Sequence, residues 1–208
     1  MNLPCIIDGP DNGPLFIFAH GAGAPMEHAF MTAVAQGLAK EGIRVVRFNF
    51  PYMAKRAEDG KKRPPDRAPK LLEAFSEVIA SVTDEPVMIG GKSMGGRMAS
   101  LLSEHPLVKG IACLGFPFHP PGKPEKFKGE HLQTLSKPTL ILQGERDTFG
   151  TQNECQHFEF SSMVRLAFLP DGDHSFKPRK SSGHTEVGNV QLAIEQLCAF
   201  IKGVDDEK

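Results

Sequence analysis

Short runs of apolar residues alternate along the chain with longer segments in which apolar residues recur every three or four positions. Compact apolar runs are typical of buried strands, and the three-and-four spacing is typical of amphipathic helices. The strand-like runs are 15–19, 44–50, 87–89, 108–114, 139–143 and 164–169, and the helix-like segments are 27–40, 66–82, 94–104 and 184–201. This alternation predicts an α/β fold with a mostly parallel sheet of six to seven strands and helices on both faces. Residues 5–7 are expected to add a short edge strand.

Two segments, 52–70 and 116–137, interrupt this alternation because they are polar or rich in proline. Each follows a strand, so each is expected at the carboxyl edge of the sheet, where open α/β sheets bind ligands. The first segment carries seven basic residues against three acidic ones. It is either an ordinary solvated loop or a place where Arg56 or Arg63 holds a carboxylate or phosphate of a substrate.

Composition narrows the classes of function. The 208 residues are too few for two full catalytic domains, so 1–208 is predicted to be a single domain. Twenty-four basic residues against 25 acidic ones leave a net charge of -1, which argues against binding to nucleic acid or to an anionic membrane. Because no apolar run reaches the length of a membrane span and the first residues lack a signal-peptide pattern, we expect a soluble cytoplasmic protein.

The cysteines and histidines do not form a metal-binding pattern. The four cysteines are scattered without a C-x-x-C pair, and the histidines lack the spacing of metal ligands. We therefore predict no metal and no cofactor. Composition leaves the oligomeric state open.

Residues 91–95 read G-K-S-M-G and match the pattern G-x-S-x-G. The match follows a strand that ends in glycine and precedes a helix, which is the context of a nucleophile elbow. The glycines leave room for the tight turn that exposes Ser93. The same letters could end a phosphate-binding P-loop, but that motif requires glycine at position 86, where this chain has Pro86. The elbow is the better interpretation.

A serine hydroxyl needs a base within hydrogen-bond reach and a carboxylate that orients the base. Asp147 follows the strand-like run 139–143, and His174 follows the run 164–169. The chain order Ser, Asp, His is that of α/β-hydrolases. Asp173 is disfavoured as the acid, because adjacent side chains in an extended loop point to opposite sides. Asp147 is preferred over the remaining acids near the base, Glu145 and Asp171.

Residues 20–24, H-G-A-G-A, directly follow the first strand-like run. They are either a plain glycine turn or a loop whose backbone N–H groups stabilise an oxyanion, in which case the donors are Ala22 and Met94. His20 is expected to hold this loop by hydrogen bonds. Side chains of the neighbouring edge loops are either core residues or the lining of a substrate pocket: Met26, Tyr52, Arg56, Phe116, Phe118 and Phe176.

The segments 20–23, 47–51, 90–97 and 172–176 resemble those of small predicted α/β-hydrolases related to dienelactone hydrolase. The resemblance covers nearly the whole chain and implies a compact, capless serine-hydrolase fold with Ser93, Asp147 and His174 as a catalytic triad. Dienelactone hydrolases proper have cysteine where this chain has Ser93, and their substrate-binding arginines do not align here, so their substrate does not transfer.

The expected activity is hydrolysis of a small ester or thioester through an acyl-enzyme. The chain is too short for the gating domain of an oligopeptidase or for the full lid of a lipase. The same family also resembles a hydrolase-like domain found in chromatin-complex subunits. A noncatalytic interaction module on this fold is therefore the alternative.

Overall fold

The computed structural model describes residues 3–206, so both ends of the predicted 1–208 domain lie outside the described residues. Seven strands form one sheet in the order β1-β3-β2-β4-β5-β6-β7, and β1 is antiparallel to its neighbour whereas every other pair is parallel. The strands are β1 Cys5–Asp8, β2 Leu15–Ala19, β3 Arg44–Phe48, β4 Val87–Lys92, β5 Val108–Leu114, β6 Thr139–Gly144 and β7 Val164–Leu169. The mostly parallel sheet and the short edge strand at the start of the chain are both confirmed.

Helices cover both faces of the sheet. The helices are α1 Ala29–Lys40, α2 Pro51–Asp59, α3 Ala68–Val82, α4 Met94–Leu101, α5 Gln152–Cys155 and α6 Glu186–Asp206, and short 3-10 turns span Glu130–Gln133 and Lys180–Ser182. Buried residues of α1 and α6 belong to one apolar cluster, and those of α2, α3 and α4 belong to the other. Neighbouring residues of β2 contribute to opposite clusters, because successive side chains of a strand face opposite sides of the sheet. No cap domain is inserted into the fold within residues 3–206.

The segment 52–70 departs from its sequence-based interpretation as an irregular loop. Helix α2 occupies its first half, and α3 begins at Ala68. Pro51 suits the first turn of α2, where a missing N–H costs nothing, and Gly60 ends the helix with a φ of 70°. Only Tyr52 and Met53 of α2 are buried, so the helix has too few apolar positions to produce a visible period. The segment 116–137 is irregular apart from its short 3-10 turn, as expected.

Candidate active site

The turn between β4 and α4 places Ser93 at the carboxyl edge of the sheet. Ser93 has a φ of 50° and a ψ of -116°, a conformation that costs a non-glycine residue about 1–3 kcal/mol. The two flanking glycines make the turn possible. A Cβ atom on Gly91 would lie 2.4 Å from the carbonyl carbon of Gly95, and one on Gly95 would lie 2.5 Å from the backbone oxygen of Ala19. The local sequence thus holds the hydroxyl at the start of α4.

Ser93, His174 and Asp147 form a continuous chain of hydrogen bonds. Ser93 Oγ lies 2.8 Å from His174 Nε2, and His174 Nδ1 lies 2.7 Å from Asp147 Oδ2. Asp147 is fully buried. The ring of Phe149 stacks on the imidazole with the centroids 4.2 Å apart. Three side chains that are far apart in the sequence therefore meet at one edge of the sheet, in the order the sequence predicts.

Buried neutral groups hold Asp147 in place. The backbone N–H of Phe149 donates to Oδ1 at 2.9 Å, and the side-chain amide of Gln143 donates to Oδ2 at 3.0 Å. Gln143 also exchanges hydrogen bonds with the backbone N–H and carbonyl of Phe116 and donates to the carbonyl of Gly150. Sequence reasoning missed Gln143, although a buried amide at the end of a strand, four residues before the expected acid, was the available signal.

The rival acids are each held elsewhere. Asp171 accepts hydrogen bonds from Arg179, and these lower the pKa of its carboxyl to about 2. Glu145 accepts the backbone N–H of Asp171 at 2.7 Å. Asp173 accepts backbone N–H groups within its own loop. Asp147 is the acid whose oxygen lies within hydrogen-bond distance of the base, because the loop after β7 turns the imidazole toward β6.

His20 organises the loop that follows β2. Its Nε2 accepts the backbone N–H of Phe50 at 3.0 Å, so Nδ1 carries the proton and donates to the carbonyl of Gly21 at 2.6 Å. Burial lowers the pKa of His20 to about 4, against the opposing effect of that backbone hydrogen bond. The imidazole is therefore neutral at pH 7. This geometry fits the loop-holding role that the sequence suggested.

The two expected oxyanion donors both border the space in front of Ser93. Ala22 and Met94 line one cavity together with Ser93. Met94 is the first residue of α4, where helix geometry leaves the N–H without an intrahelical partner. The phenol of Tyr52 donates to the carbonyl of Ala22 at 2.8 Å, which fixes the loop from behind.

Lys92, directly before the nucleophile position, is the functional candidate that sequence reasoning did not identify. Its ammonium donates to the backbone carbonyl of His174 at 2.5 Å and lies 5.6 Å from the centroid of the Phe30 ring. Burial lowers the pKa of Lys92 to about 8, although the negative charges of Asp147 and Asp173 act in the opposite direction. Lys92 thereby connects the end of β4 to the backbone of His174.

The structure corrects the predicted pocket lining. Five of the proposed substrate contacts are at most 5% exposed and belong to the core beneath the loops: Met26, Tyr52, Phe116, Phe118 and Phe176. The rings of Phe116 and Phe118 pack against each other, that of Tyr52 packs against His20 and that of Phe176 against Phe30. These residues therefore support the site instead of facing a substrate. Arg56 is partly exposed on α2 and donates to the carbonyl of Gly23 at 3.3 Å, outside the lining of the two cavities beside Ser93. Arg63 pairs with Asp59 on the surface.

Two cavities open beside Ser93 and share Ala22, Ser93 and Phe149 in their walls. One, of about 360 Å³, continues along Lys92, His28 and Phe30. The other, of about 240 Å³, is bordered by Met94, Arg97, Lys128, His119 and two prolines. A larger hollow of about 660 Å³ lies between α1 and α6, and its walls include neither Ser93 nor His174.

Two further features of the structure concern metal-binding clusters and membrane-spanning helices. Within residues 3–206, no group of three or more His, Cys, Asp or Glu side chains is arranged to hold a metal ion. In the same range, no helix combines the length and apolar character needed to cross a membrane.

Comparison with known proteins places the chain in a family. A sequence model described as an alpha/beta hydrolase domain matches residues 12–202, so the chain belongs to that family. A dienelactone hydrolase from Anabaena variabilis superposes with a TM-score of 0.72 at 18% identity, covering 96% of this chain and 90% of that one. Est1E from Butyrivibrio proteoclasticus, with bound ferulic acid, superposes with a TM-score of 0.71 at 20% identity, covering 99% of this chain and 96% of that one. An alpha-beta serine hydrolase homologue from Coxiella burnetii superposes with a TM-score of 0.70 at 19% identity, covering 94% of this chain and 89% of that one. The resemblance stated from the sequence is confirmed at the level of family and fold.

Proposed function

We propose that the protein is a serine hydrolase that cleaves a small ester or thioester through an acyl-enzyme. The observation that carries this proposal is the hydrogen-bond chain from Ser93 Oγ through His174 to the buried carboxylate of Asp147. Each member has the chemistry that its position requires: an alcohol, an imidazole base and a carboxylate that orients the base.

The reaction begins when Ser93 Oγ attacks the carbonyl carbon of the ester and His174 Nε2 takes the hydroxyl proton. The carbonyl oxygen becomes an oxyanion and accepts hydrogen bonds from the N–H groups of Ala22 and Met94. Removing one such donor typically costs about 10²–10³ in rate. Asp147 accepts a hydrogen bond from Nδ1–H of His174 and stabilises the imidazolium, while the proton stays on Nδ1.

The C–O or C–S bond to the leaving group then breaks as His174 Nε2 gives that group its proton, which leaves the acyl group on Ser93. Water enters, His174 takes a proton from it, and the hydroxide oxygen attacks the acyl carbon. Collapse of the second tetrahedral intermediate releases the acid and returns the proton to Ser93. Every atom of the cycle comes from the ester, from water or from the three side chains, so no cofactor is needed.

The dimensions of the site favour a small substrate. The two cavities beside Ser93 measure about 240 and 360 Å³, which suits small molecules. The near-neutral net charge favours a dissolved small-molecule ester over nucleic acid or an anionic membrane surface. We place this activity in the cytoplasm, in line with the sequence-based expectation.

A fluorophosphonate probe tests the proposal, because it reacts only with an activated serine. We expect wild type to be labelled, Ser93→Ala to lose the label, and Ser162→Ala, which removes an exposed serine from a surface turn, to keep it. A panel of p-nitrophenyl esters and thioesters of graded acyl length then defines the acyl group. A folded wild-type protein that neither takes the label nor hydrolyses any ester would overturn the proposal and favour the noncatalytic interaction module.

A further inference from the structure

The smaller cavity beside Ser93 has a cationic wall. Arg97 and Lys128 border it, and no aspartate or glutamate is among its lining residues. The chain as a whole carries a net charge of -1, so this local excess of positive charge is not a property of the composition. A cationic wall beside a proposed nucleophile favours ligands that bring negative charge.

Helix geometry explains why Arg97 reaches this cavity. Arg97 lies four residues after Ser93, and its backbone N–H donates to the carbonyl of Ser93 at 3.0 Å. Residues four apart share one face of a helix, and side chains tilt toward the N-terminus of the helix. The guanidinium of Arg97 is therefore directed back along the first turn of α4, toward Met94 and the nucleophile position.

The guanidinium of Arg97 lacks an anionic partner among the residues that the structure describes. Its one hydrogen bond runs from Nε to the backbone carbonyl of Lys128 at 3.5 Å, at the limit of the distance range, and within residues 3–206 no carboxylate lies within ion-pair distance of it. Burial lowers the pKa of Arg97, and Glu130, outside the cavity wall, only partly opposes this. A partly desolvated cation gains free energy when an anion replaces the water it has lost.

Two other groups near the cavity, an imidazole and an ammonium, already have polar neighbours. His119 lies in the wall with Nδ1 against the carbonyl of Pro120, and its Nε2 faces Glu154 Oε1 at 3.1 Å. Lys92, in the wall of the larger cavity, donates a hydrogen bond to the carbonyl of His174. Within residues 3–206, the terminal nitrogens of Arg97 and the ammonium of Lys128 have no such bond, so both cations in this wall are free to bind a ligand.

We propose that the smaller cavity is a subsite for an anionic group of the substrate, a carboxylate or a phosphate, held by Arg97 as the main ligand and by Lys128 as a second one. This inference rests on the proposed function and specifies its substrate class: a small ester or thioester that carries a negative charge close to the scissile bond. A guanidinium can bind either oxyanion through two parallel N–H donors, so the shared chemistry is a planar or tetrahedral group with at least two oxygens.

Pairs of substrates that are similar in shape but differ in charge test the subsite. For the leaving group, the pair is 4-acetoxybenzoate and 4-acetoxybenzamide, with 4-acetoxyphenyl phosphate as the phosphate arm. For the acyl group, the pair is the 4-nitrophenyl monoester of terephthalate and 4-nitrophenyl 4-carbamoylbenzoate. We expect wild type to favour the anionic member of at least one pair by about 10-fold or more in kcat/KM.

Variants locate the preference. Arg97→Met is expected to reduce it to within about twofold, because kcat/KM for the anionic member falls more than kcat/KM for the neutral one, and Lys128→Met is expected to reduce it partly. Arg165→Met is the matched control, because Arg165 is exposed on β7 and lies outside the cavity wall. If Arg97→Met melts early, Arg97→Gln takes its place. A preference that survives Arg97→Met, or that disappears with Arg56→Met instead, overturns the subsite.

A binding measurement separates this inference from the proposed function. The measurement uses Ser93→Ala protein, because binding requires no turnover. Isothermal titration calorimetry compares the affinity of this protein for 4-hydroxybenzoate or terephthalate with its affinity for the corresponding amide. Tighter binding of the anion that is lost when Arg97→Met is added supports the subsite even if no ester is hydrolysed. Equal binding of anion and amide by Ser93→Ala, together with equal turnover by wild type, rejects the subsite while leaving the serine hydrolase intact.

Discussion

The loops that follow β6 and β7 each bury one aspartate, but they hold its carboxylate with different kinds of partner. Asp147, after β6, is fully buried and accepts neutral donors, the amide of Gln143 and the N–H of Phe149, besides the imidazole of His174. Asp171, after β7, is held by the guanidinium groups of Arg179 and Arg146. Two residues of the same type, on neighbouring strands, thus occupy opposite electrostatic environments.

The difference between the two aspartates shows which surroundings allow a carboxylate to orient a base. Arginines satisfy the charge of Asp171 and hold the pKa of its carboxyl at about 2, so its oxygens are committed to holding the loop together. Neutral dipoles fix the position of Asp147 without cancelling its charge, which leaves that charge available to an imidazolium. Asp171 and Asp147 therefore differ in role because of their partners and not because of their residue type.

The largest expected effect comes from Asp147→Asn. The asparagine amide would donate where the carboxylate accepts, which favours the wrong tautomer of His174, and kcat for a neutral ester should fall by about 10³–10⁴-fold. Steady-state kinetics measure this, with Asp171→Asn as the matched control. If Asp171→Asn costs as much activity as Asp147→Asn, the distinction between the two loops fails.

An intermediate effect is expected from Lys92, a largely buried cation whose pKa is lowered by burial and, less strongly, raised by the negative charges of Asp147 and Asp173. Its pKa of about 8 means that it loses its proton, and with it the charge assistance of its bond to the His174 carbonyl, as the pH rises through about 8. We expect kcat/KM of wild type for a neutral ester to decline roughly 3–10-fold on the alkaline side. Lys92→Met should be less active at neutral pH and lack this decline.

A kcat/KM profile from pH 6 to pH 10 checks this expectation. Lys92→Arg should keep its charge and move the decline to higher pH, whereas Lys62→Met, which removes an exposed lysine, should follow wild type. Identical profiles for wild type and Lys92→Met would remove Lys92 from the positioning of the base.

The smallest effect on activity is expected from Asp171→Asn. Asparagine tolerates the φ of 50° at this position, so kcat should stay within about threefold of wild type while the melting temperature falls, because the charge-assisted bonds to the arginines are lost. The folded-state pKa of about 2 lies below the ordinary value of 3.8, so Asp171 stabilises the fold above about pH 4 and loses that contribution as the pH falls toward 2.

Melting curves at several pH values provide the measurement. The difference in melting temperature between wild type and Asp171→Asn should be largest near neutral pH and should shrink between about pH 4 and pH 2. A difference that stays constant across this range would mean that the ion pairs of Asp171 do not stabilise the fold.

The sequence by itself determined the α/β architecture, and it predicted the elbow at Ser93 with His174 and Asp147 as the preferred partners of the serine. Apolar period, glycine spacing and chain order are local or one-dimensional properties, and parallel strands bring their carboxyl ends to one edge whatever the packing details. The apolar pattern did not predict helix α2, because only two of its residues are buried.

Only the tertiary structure decided what each side chain faces. Phe116 and Phe118 follow a strand as pocket residues would, yet both are fully buried, because the loop folds back over the core. Lys92 acquired its significance from the carbonyl of His174, far away in the chain, and Gln143 from bridging Asp147 to the distant backbone of Phe116. The terminal nitrogens of Arg97 acquired theirs from the lack of a partner in the described structure. Hydrogen bonding, desolvation and charge depend on neighbours in space, and sequence patterns do not encode those distances.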